Sequence, residues 1–228
     1  MTYWKATRLN GTDFHTGTVD YATALASGEP VTAPVVGLDD PHFPGPGWLH
    51  LATVPTECVG MSWPCRLFEV EPADDLGEDR PRHEHKVGAT AVRVLAEVDA
   101  HVALGPQGVQ VAALIARCDT LTADEVSRLN AARGTARGVA ARGVATRGIA
   151  RGTARVAAWD AALYAIAAAT ARVAARDAAL GAAWALLLRD LIGQRPGWDQ
   201  DDYDLLTGPW RQTIGPIHPD DAPMAGSS

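Results

Sequence analysis

The pattern of apolar and polar residues changes once along the chain, near residue 105. Before that point, short runs alternate apolar and polar residues, which is typical of strands in an antiparallel sheet. After it, apolar residues recur every three or four positions, as along one face of a helix. We therefore expect an α+β fold in which a small antiparallel β-rich N-terminal domain is followed by long Ala-rich helices, packed as a hairpin or a coiled-coil-like pair. The expected bounds are 1–104 for the β-rich domain, 105–198 for the helical region and 199–228 for an acidic, proline-containing tail that packs back in part.

Four segments of the first hundred residues predict strands. They are Tyr3–Leu9, Trp48–Leu51, Cys65–Glu71 and Ala89–Val98. Asn10 and Gly11 have the composition of a hairpin turn, so Phe14–Tyr21 is the expected partner of the first strand. Proline and glycine in residues 28–47, and charge in residues 74–85, predict surface loops.

The helical pattern is most regular between Val156 and Leu191, where a seam advances in alternating steps of three and four. Nine of its eleven positions are apolar, which is typical of a coiled coil or a close helical hairpin. An unbroken helix over 156–192 would be about 55 Å long. The seam predicts self-association or binding of a protein partner. Its candidate interaction residues are Trp159, Leu163, Leu180, Trp184 and Leu187.

Two local signals predict where helices begin and end. Thr122 and Glu125 have the spacing of a capping box, in which each side chain bonds the other residue's backbone N–H, so a helix should start there. Gly193 and Pro196 follow the seam and should end its helix.

An Arg-Gly repeat, AARGTARGVAARGVATRGIARGTAR, occupies residues 131–155. On a helix, with about 100° per residue, five arginines fall on one face. They are Arg133, Arg137, Arg147, Arg151 and Arg155. Each glycine costs roughly 1 kcal/mol in a helix interior, so such a helix must pack on something, and the glycines would allow close contact. A β-solenoid of pentapeptide repeats and a disordered RNA-binding tract are the alternative interpretations of the repeat.

The net charge of the chain limits which partners the arginine face can bind. The chain has a net charge of −7, yet residues 128–155 hold seven arginines and no acid, which leaves 13 basic against 27 acidic residues elsewhere. An acidic chain is not a whole-surface nucleic-acid binder. The arginine face is therefore expected to be solvated or to face the acidic tail. A polyanion, or an acidic face of another subunit, is the alternative.

No motif for catalysis, phosphate binding or metal binding is present. His83 and His85 flank an acid in a charged loop, and Cys58 and Cys65 have no matching second pair, so no metal or cofactor is predicted. The odd count of three cysteines predicts free thiols. The apolar runs are too short for a membrane helix, and the first residues lack the apolar core of a secretory signal, so a cytoplasmic location is expected, in a host cell or a virion if the chain is phage-encoded.

Several segments resemble a family of uncharacterised proteins from actinobacteria and their phages. The segments are Tyr3–Ala6, Gly47–Leu51, Arg66–Glu71, Arg93–Leu95, the Ala-rich middle and Trp210–Pro219. This resemblance implies a β-rich N-terminal domain with an Ala-rich helical extension, and no activity. Gly47–Leu51 and the strand after it are also similar to ADP-ribosyltransferase-like folds. There, Lys5 occupies the position of the His or Arg that holds a nicotinamide nucleotide, and no catalytic glutamate can be placed.

Three functions follow from these patterns. We expect a structural or interaction protein that oligomerises or binds a protein partner through its Ala-rich helices. The first alternative is a nucleic-acid-associated or polyanion-associated protein that uses the arginine face at 133–155. The second is an ADP-ribosyltransferase-like enzyme, or a relic of one, in the N-terminal domain. No catalytic residue can be assigned, so an enzyme is the less favoured interpretation.

Overall fold

The computed structural model of this chain describes most of its 228 residues and divides them into two units. The described residues are 2–34, 43–45, 47–58, 62–131, 145–169 and 173–221. In these described ranges, the first unit, Met1–Ala103, contains a β-sheet and one α-helix, and the second, Leu104–Ser228, contains α-helices. The chain therefore has the expected α+β fold. Within the described ranges, no helix is both long enough and apolar enough to cross a membrane.

The described strands of the first unit form one sheet in which every pairing is antiparallel. The strands are β1 (Tyr3–Thr7), β2 (Val31–Thr32), β3 (Leu49–Ala52), β4 (Arg66–Pro72), β5 (Arg82–His83), β6 (Lys86–Ala89) and β7 (Ala91–Val98). Their spatial order is β2-β7-β4-β1-β3-β6-β5, which places β1 at the centre. The two-residue strands β2 and β5 form the edges, and their shortness limits the backbone left open for pairing with another chain.

One face of the sheet is covered by helix α1 (Tyr21–Ser27). The carboxylate of Asp20 caps its first turn by accepting the backbone N–H of Thr23 at 2.9 Å. The ring of Tyr21 is fully buried and stacks on Phe68 of β4, with ring centroids 6.4 Å apart. The predicted pairing of the first strand with Phe14–Tyr21 is wrong. Those residues form a loop and the start of α1, because the neighbours of β1 are β3 and β4.

The second unit is a bundle of helices. They are α2 (Gly108–Cys118), α3 (Ala123–Ala131), α4 (145–152), α5 (Val156–Ala169), α6 (Val173–Leu187) and α7 (Gln200–Thr213). The predicted capping box is confirmed at the start of α3. The backbone N–H of Glu125 donates to Thr122 Oγ1 at 3.2 Å, and that of Thr122 donates to Glu125 Oε2 at 2.9 Å.

Helix α6 forms the centre of this bundle. Its residues 178–187 are all buried, and α2, α3, α5 and α7 pack around it. Alanine supplies much of its surface, so neighbouring helices can approach closely, and a helix that is apolar on all sides is stable only when it is covered.

A single unbroken helix over 156–192 is excluded. The rings of Trp159 in α5 and Trp184 in α6 stack 4.5 Å apart, whereas 25 residues along one straight helix would separate them by roughly 37 Å. Arg155 and Asp190 are also paired, so the two helices run antiparallel. Of the two predicted arrangements, the helical hairpin is observed, and a coiled coil between chains stays a prediction.

Much of the predicted acidic tail is a helix. Asp199 caps α7 by accepting the backbone N–H of Asp202 at 3.0 Å, and acids in the first turn suit the positive end of a helix. Tyr203, Leu206 and Trp210 of α7 are buried. Residues 200–213 therefore belong to the core of the second unit.

Candidate functional site

The arginine face meets acids of its own chain where it is described. Arg133 and Arg137 lie outside the described residues. Arg155 forms a two-pronged ion pair with Asp190, at 2.7 and 2.8 Å, and donates to the carbonyl oxygen of Leu187. Arg147 lies 3.4 Å from Asp160 Oδ1.

Two of the three described arginines therefore neutralise acids of the helical bundle and not of the predicted tail. Only Arg151, among the described members, is exposed with no carboxylate partner. Binding of a polyanion by this face stays a prediction.

The large seam residues fill the core of the second unit. Trp159, Leu180, Trp184 and Leu187 are each at most 8% exposed, and Leu163 is half-buried. These side chains pack against helices of the same chain. Self-association stays a prediction, and the four buried seam residues Trp159, Leu180, Trp184 and Leu187 are already covered within the chain.

A different site lies in the first unit, where β1 and β3 separate. The two strands pair at one position, Trp4 opposite Ala52, whereas β1 pairs with β4 along its full length. Past that position, the backbone groups of β1 and β3 bond to side chains. Lys5 Nζ donates to the carbonyl oxygen of His50 at 3.2 Å, and the Ala6 N–H donates to the sulfur of Cys58.

Two adjoining cavities open at this gap. The larger, about 330 Å³ and here called the Lys5 cavity, has apolar walls that include Tyr21, Trp48 and Leu49. The smaller, about 190 Å³ and here called the Cys58 cavity, is lined in part by Cys58. Lys5, His15 and His50 line both cavities. Lys5 therefore lies where the two cavities meet.

Lys5 differs from the other lysine of the chain, the exposed Lys86, in being half-buried inside a cavity. Its side chain is half-buried, and burial lowers the pKa of its amine. Its Nζ lies 5.5 Å from the centre of the Tyr21 ring, and no carboxylate of the described residues lies within ion-pairing distance. A buried amine without a paired acid inside a cavity is a marker of a functional site.

Asp13 shapes the wall of the Lys5 cavity without offering a free acceptor. Its carboxylate accepts hydrogen bonds from the backbone N–H groups of Thr16, Thr18 and Val19 and from the Thr16 hydroxyl, at 2.6 to 3.1 Å. Burial opposes its ionisation, but the hydrogen bonds from Thr16 and Val19 outweigh that cost and lower its pKa to about 2. Asp13 therefore fixes the loop that carries His15, and its oxygens are already occupied.

His50 is another titratable residue that lines both cavities. Its ring is half-buried, and burial lowers its pKa. Its Nε2 lies 3.2 Å from the carbonyl oxygen of Gly45, so we assign the proton of the neutral ring to Nε2. The lone pair is then on Nδ1, where it can accept a proton.

The three cysteines are free thiols, as predicted. Burial raises the pKa of Cys58, Cys65 and Cys118 to about 12, so none is a reactive thiolate at neutral pH. His83 ends β5, and His85 lies in the two-residue turn between β5 and β6. In the described part of the chain, no three His, Cys, Asp or Glu side chains are grouped as a metal site.

Sequence reasoning named Lys5 only through a resemblance and did not predict its cavity. A signal was available, because the alternation of β1 places Lys5 on the same face as the buried Tyr3. A lysine on the covered face of a central strand either reaches solvent or lines a cavity.

Comparison of the chain with protein-family models, with curated proteins and with solved structures found no match. The likeness to actinobacterial and phage proteins stays a prediction, as does the likeness to ADP-ribosyltransferase-like folds. The site is therefore interpreted from its own geometry.

Proposed function

We propose that the N-terminal unit binds a small molecule in the Lys5 cavity, and that the ligand carries one acidic group beside a flat ring. The observation that carries this proposal is the amine of Lys5, which lines both cavities without a carboxylate partner among the described residues. A carboxylate or phosphate of the ligand would supply the missing partner.

The size and walls of the cavity support a compound of one or two rings. Small-molecule sites span roughly 300 to 1,000 Å³, and the Lys5 cavity is at the lower end of that range. Trp48, which is half-buried, gives it a flat apolar surface against which a ring can lose its hydration. A dinucleotide would need the Cys58 cavity as well.

Binding of an acid at Lys5 should also move a proton. Burial lowers the pKa of the free amine, whereas an anion beside the amine raises that pKa again. Between those two pKa values the site takes up protons when the ligand binds. An anion held by an exposed arginine or lysine gives no such uptake, so proton uptake is specific to this site.

The test is calorimetric titration of the full chain with benzoate and with adenosine monophosphate, in two buffers of different ionisation enthalpy. We expect at least one of them to bind with proton uptake, and Lys5→Met to weaken binding by roughly tenfold or more. Lys86→Met is the matched control, because Lys86 is exposed and does not line the Lys5 cavity. The proposal is overturned if neither probe binds, or if Lys5→Met binds as the wild type does.

The same variants test the ADP-ribosyltransferase-like alternative. The observation that favours this alternative is that the two cavities adjoin at Lys5. It predicts that nicotinamide adenine dinucleotide raises the melting temperature of the wild type and not that of Lys5→Met. A flat response with both chains would remove this alternative and leave the smaller ligand class in place.

A further inference from the structure

We infer that the Lys5 amine forms an imine with an aldehyde or ketone ligand that enters the Lys5 cavity. This inference rests on the proposed ligand site and concerns ligands that present a carbonyl carbon to the Lys5 amine, in the place that the acidic group takes in the proposal above. Lysine amines that are partly desolvated and lack an ion pair are the ones that attack carbonyl carbons in proteins.

The surroundings of Lys5 favour the uncharged amine, which is the nucleophile. The cavity walls include Val19, Tyr21, Trp48 and Leu49, and these apolar groups solvate an ammonium ion poorly. Burial lowers the pKa of Lys5 by more than the neighbouring Cys58 and Asp13 raise it. The nearby carboxylate of Asp13 already accepts four hydrogen bonds from its own loop.

The hydrogen bonding of Lys5 is compatible with an attacking amine. One N–H donates to the backbone carbonyl oxygen of His50, and an uncharged amine makes that bond as well as an ammonium does. No described acceptor occupies the remaining positions of the nitrogen. The amine is therefore oriented by one bond while its lone pair stays available to a ligand.

The chemical step balances without an oxidant or a reductant. The nitrogen of Lys5 attacks the carbonyl carbon, and the carbonyl oxygen becomes the hydroxyl of a carbinolamine. Loss of that hydroxyl with a proton from the nitrogen forms the C=N bond and releases one water. His50 lines the same cavity with a free Nδ1 lone pair, so it can take the proton from nitrogen and return it to the departing oxygen.

Cys58 is the competing nucleophile, and its surroundings disfavour it. Its sulfur accepts the backbone N–H of Ala6, and burial raises the pKa of the thiol to about 12. It lines the Cys58 cavity but is not among the residues that line the Lys5 cavity. A carbonyl compound in the Lys5 cavity therefore meets the amine.

The chain is well suited to a trapping experiment, because it has only two lysines, Lys5 and Lys86. The full chain is incubated with 4-formylbenzoate at neutral pH, reduced with borohydride, and examined by intact mass and peptide mapping. We expect one adduct, located on Lys5, with at least tenfold higher occupancy than on Lys86 or the N-terminal amine. Lys86→Arg should keep the adduct, Lys5→Arg should lose it, and His50→Gln should slow its formation severalfold.

The outcomes separate this inference from the proposed site. If benzoate binds with proton uptake but 4-formylbenzoate labels Lys5 no more than Lys86, the imine is refuted and the site remains. If neither compound binds, both fail. The comparison of Lys5 with Lys86 is made within the wild-type chain, so it holds even if a Lys5 variant folds poorly.

Discussion

Replacing Asp74 by Asn should destabilise the first unit strongly, because Asp74 and Arg80 form its buried ion pair. The carboxylate accepts from Arg80 at 2.6 and 3.2 Å, and both side chains are less than 10% exposed. It also accepts the backbone N–H of Thr90 at 2.6 Å, and Arg80 donates to the carbonyl oxygen of Gly88. These bonds tie the loop after β4 to β6, which pairs with the cavity strand β3.

The loss of stability expected for Asp74→Asn has two sources. Burial opposes ionisation, but hydrogen bonds from Arg80 and Thr90 lower the pKa of Asp74 to about 2 from the usual 3.8, so ionisation contributes about 2.5 kcal/mol to folding. Removing one partner of a buried pair also leaves a charge unpaired, which typically costs about 3 to 5 kcal/mol. We expect Asp74→Asn to lower the free energy of unfolding by about 3 kcal/mol.

The assay is urea unfolding, with hydrogen exchange of peptides within residues 66–98 to isolate the first unit. Asp75→Asn is the matched control, because Asp75 is exposed, and its effect should be within about 0.5 kcal/mol. Adding Arg80→Met to Asp74→Asn should recover part of the loss, since no buried charge then lacks a partner. The reasoning is refuted if Asp74→Asn is as mild as Asp75→Asn.

The Asp74–Arg80 pair also predicts that the first unit loses stability at acid pH. The folded pKa of Asp74 lies below its unfolded value, so its contribution is complete above about pH 4 and is lost as the pH falls towards 2. Asp13 has the same direction and adds to this loss. In Asp74→Asn, the free energy of unfolding should therefore depend less on pH in this range, but the dependence should not disappear.

Three further predictions concern single side chains. Lys5→Met should raise the melting temperature at pH 7, because burial lowers the pKa of Lys5 and the folded state therefore disfavours its charge. The gain in melting temperature should shrink as the pH rises towards 10.5, the usual pKa of lysine. A lower melting temperature of the variant at pH 7 would contradict this prediction. Gly148→Ala should stabilise the chain by about 1 kcal/mol in urea unfolding, since an added Cβ meets no atom within 4 Å. Gly193→Ala should instead destabilise the chain, because the φ of +73° at this position strains any residue that carries a Cβ. Leu187→Ala should cost about 2 to 5 kcal/mol without changing the mass in light scattering, and a halved mass would instead place Leu187 in an interface.

The free space at Gly148 also bears on the arginine repeat. The sequence predicted that its glycines allow close packing, but an added Cβ at Gly148 or Gly152 would meet nothing within 4 Å. At these two positions that expectation is wrong. Periodicity shows which residues share a face, but the distance to the next element depends on where that element lies.

Features that depend on near neighbours could be predicted. The capping box at Thr122, the strands that became β4 and β7, and the change from sheet to helix near residue 105 involve interactions within a few residues. The reversal between α5 and α6 could not be predicted, because steps of three and four are the same in one long helix and in two antiparallel ones. The stacking of Trp159 on Trp184 distinguishes them.

The sequence by itself determined the fold class and the helix start at Thr122, since period and capping are properties of short stretches. Tertiary structure alone decided what each face meets. Arg155 finds Asp190 across 35 residues, and Lys5 faces a cavity because β3, some 45 residues later, pairs with β1 at one position. Such partners depend on how segments that are distant in the sequence pack together, and a local pattern of residue types does not specify that packing.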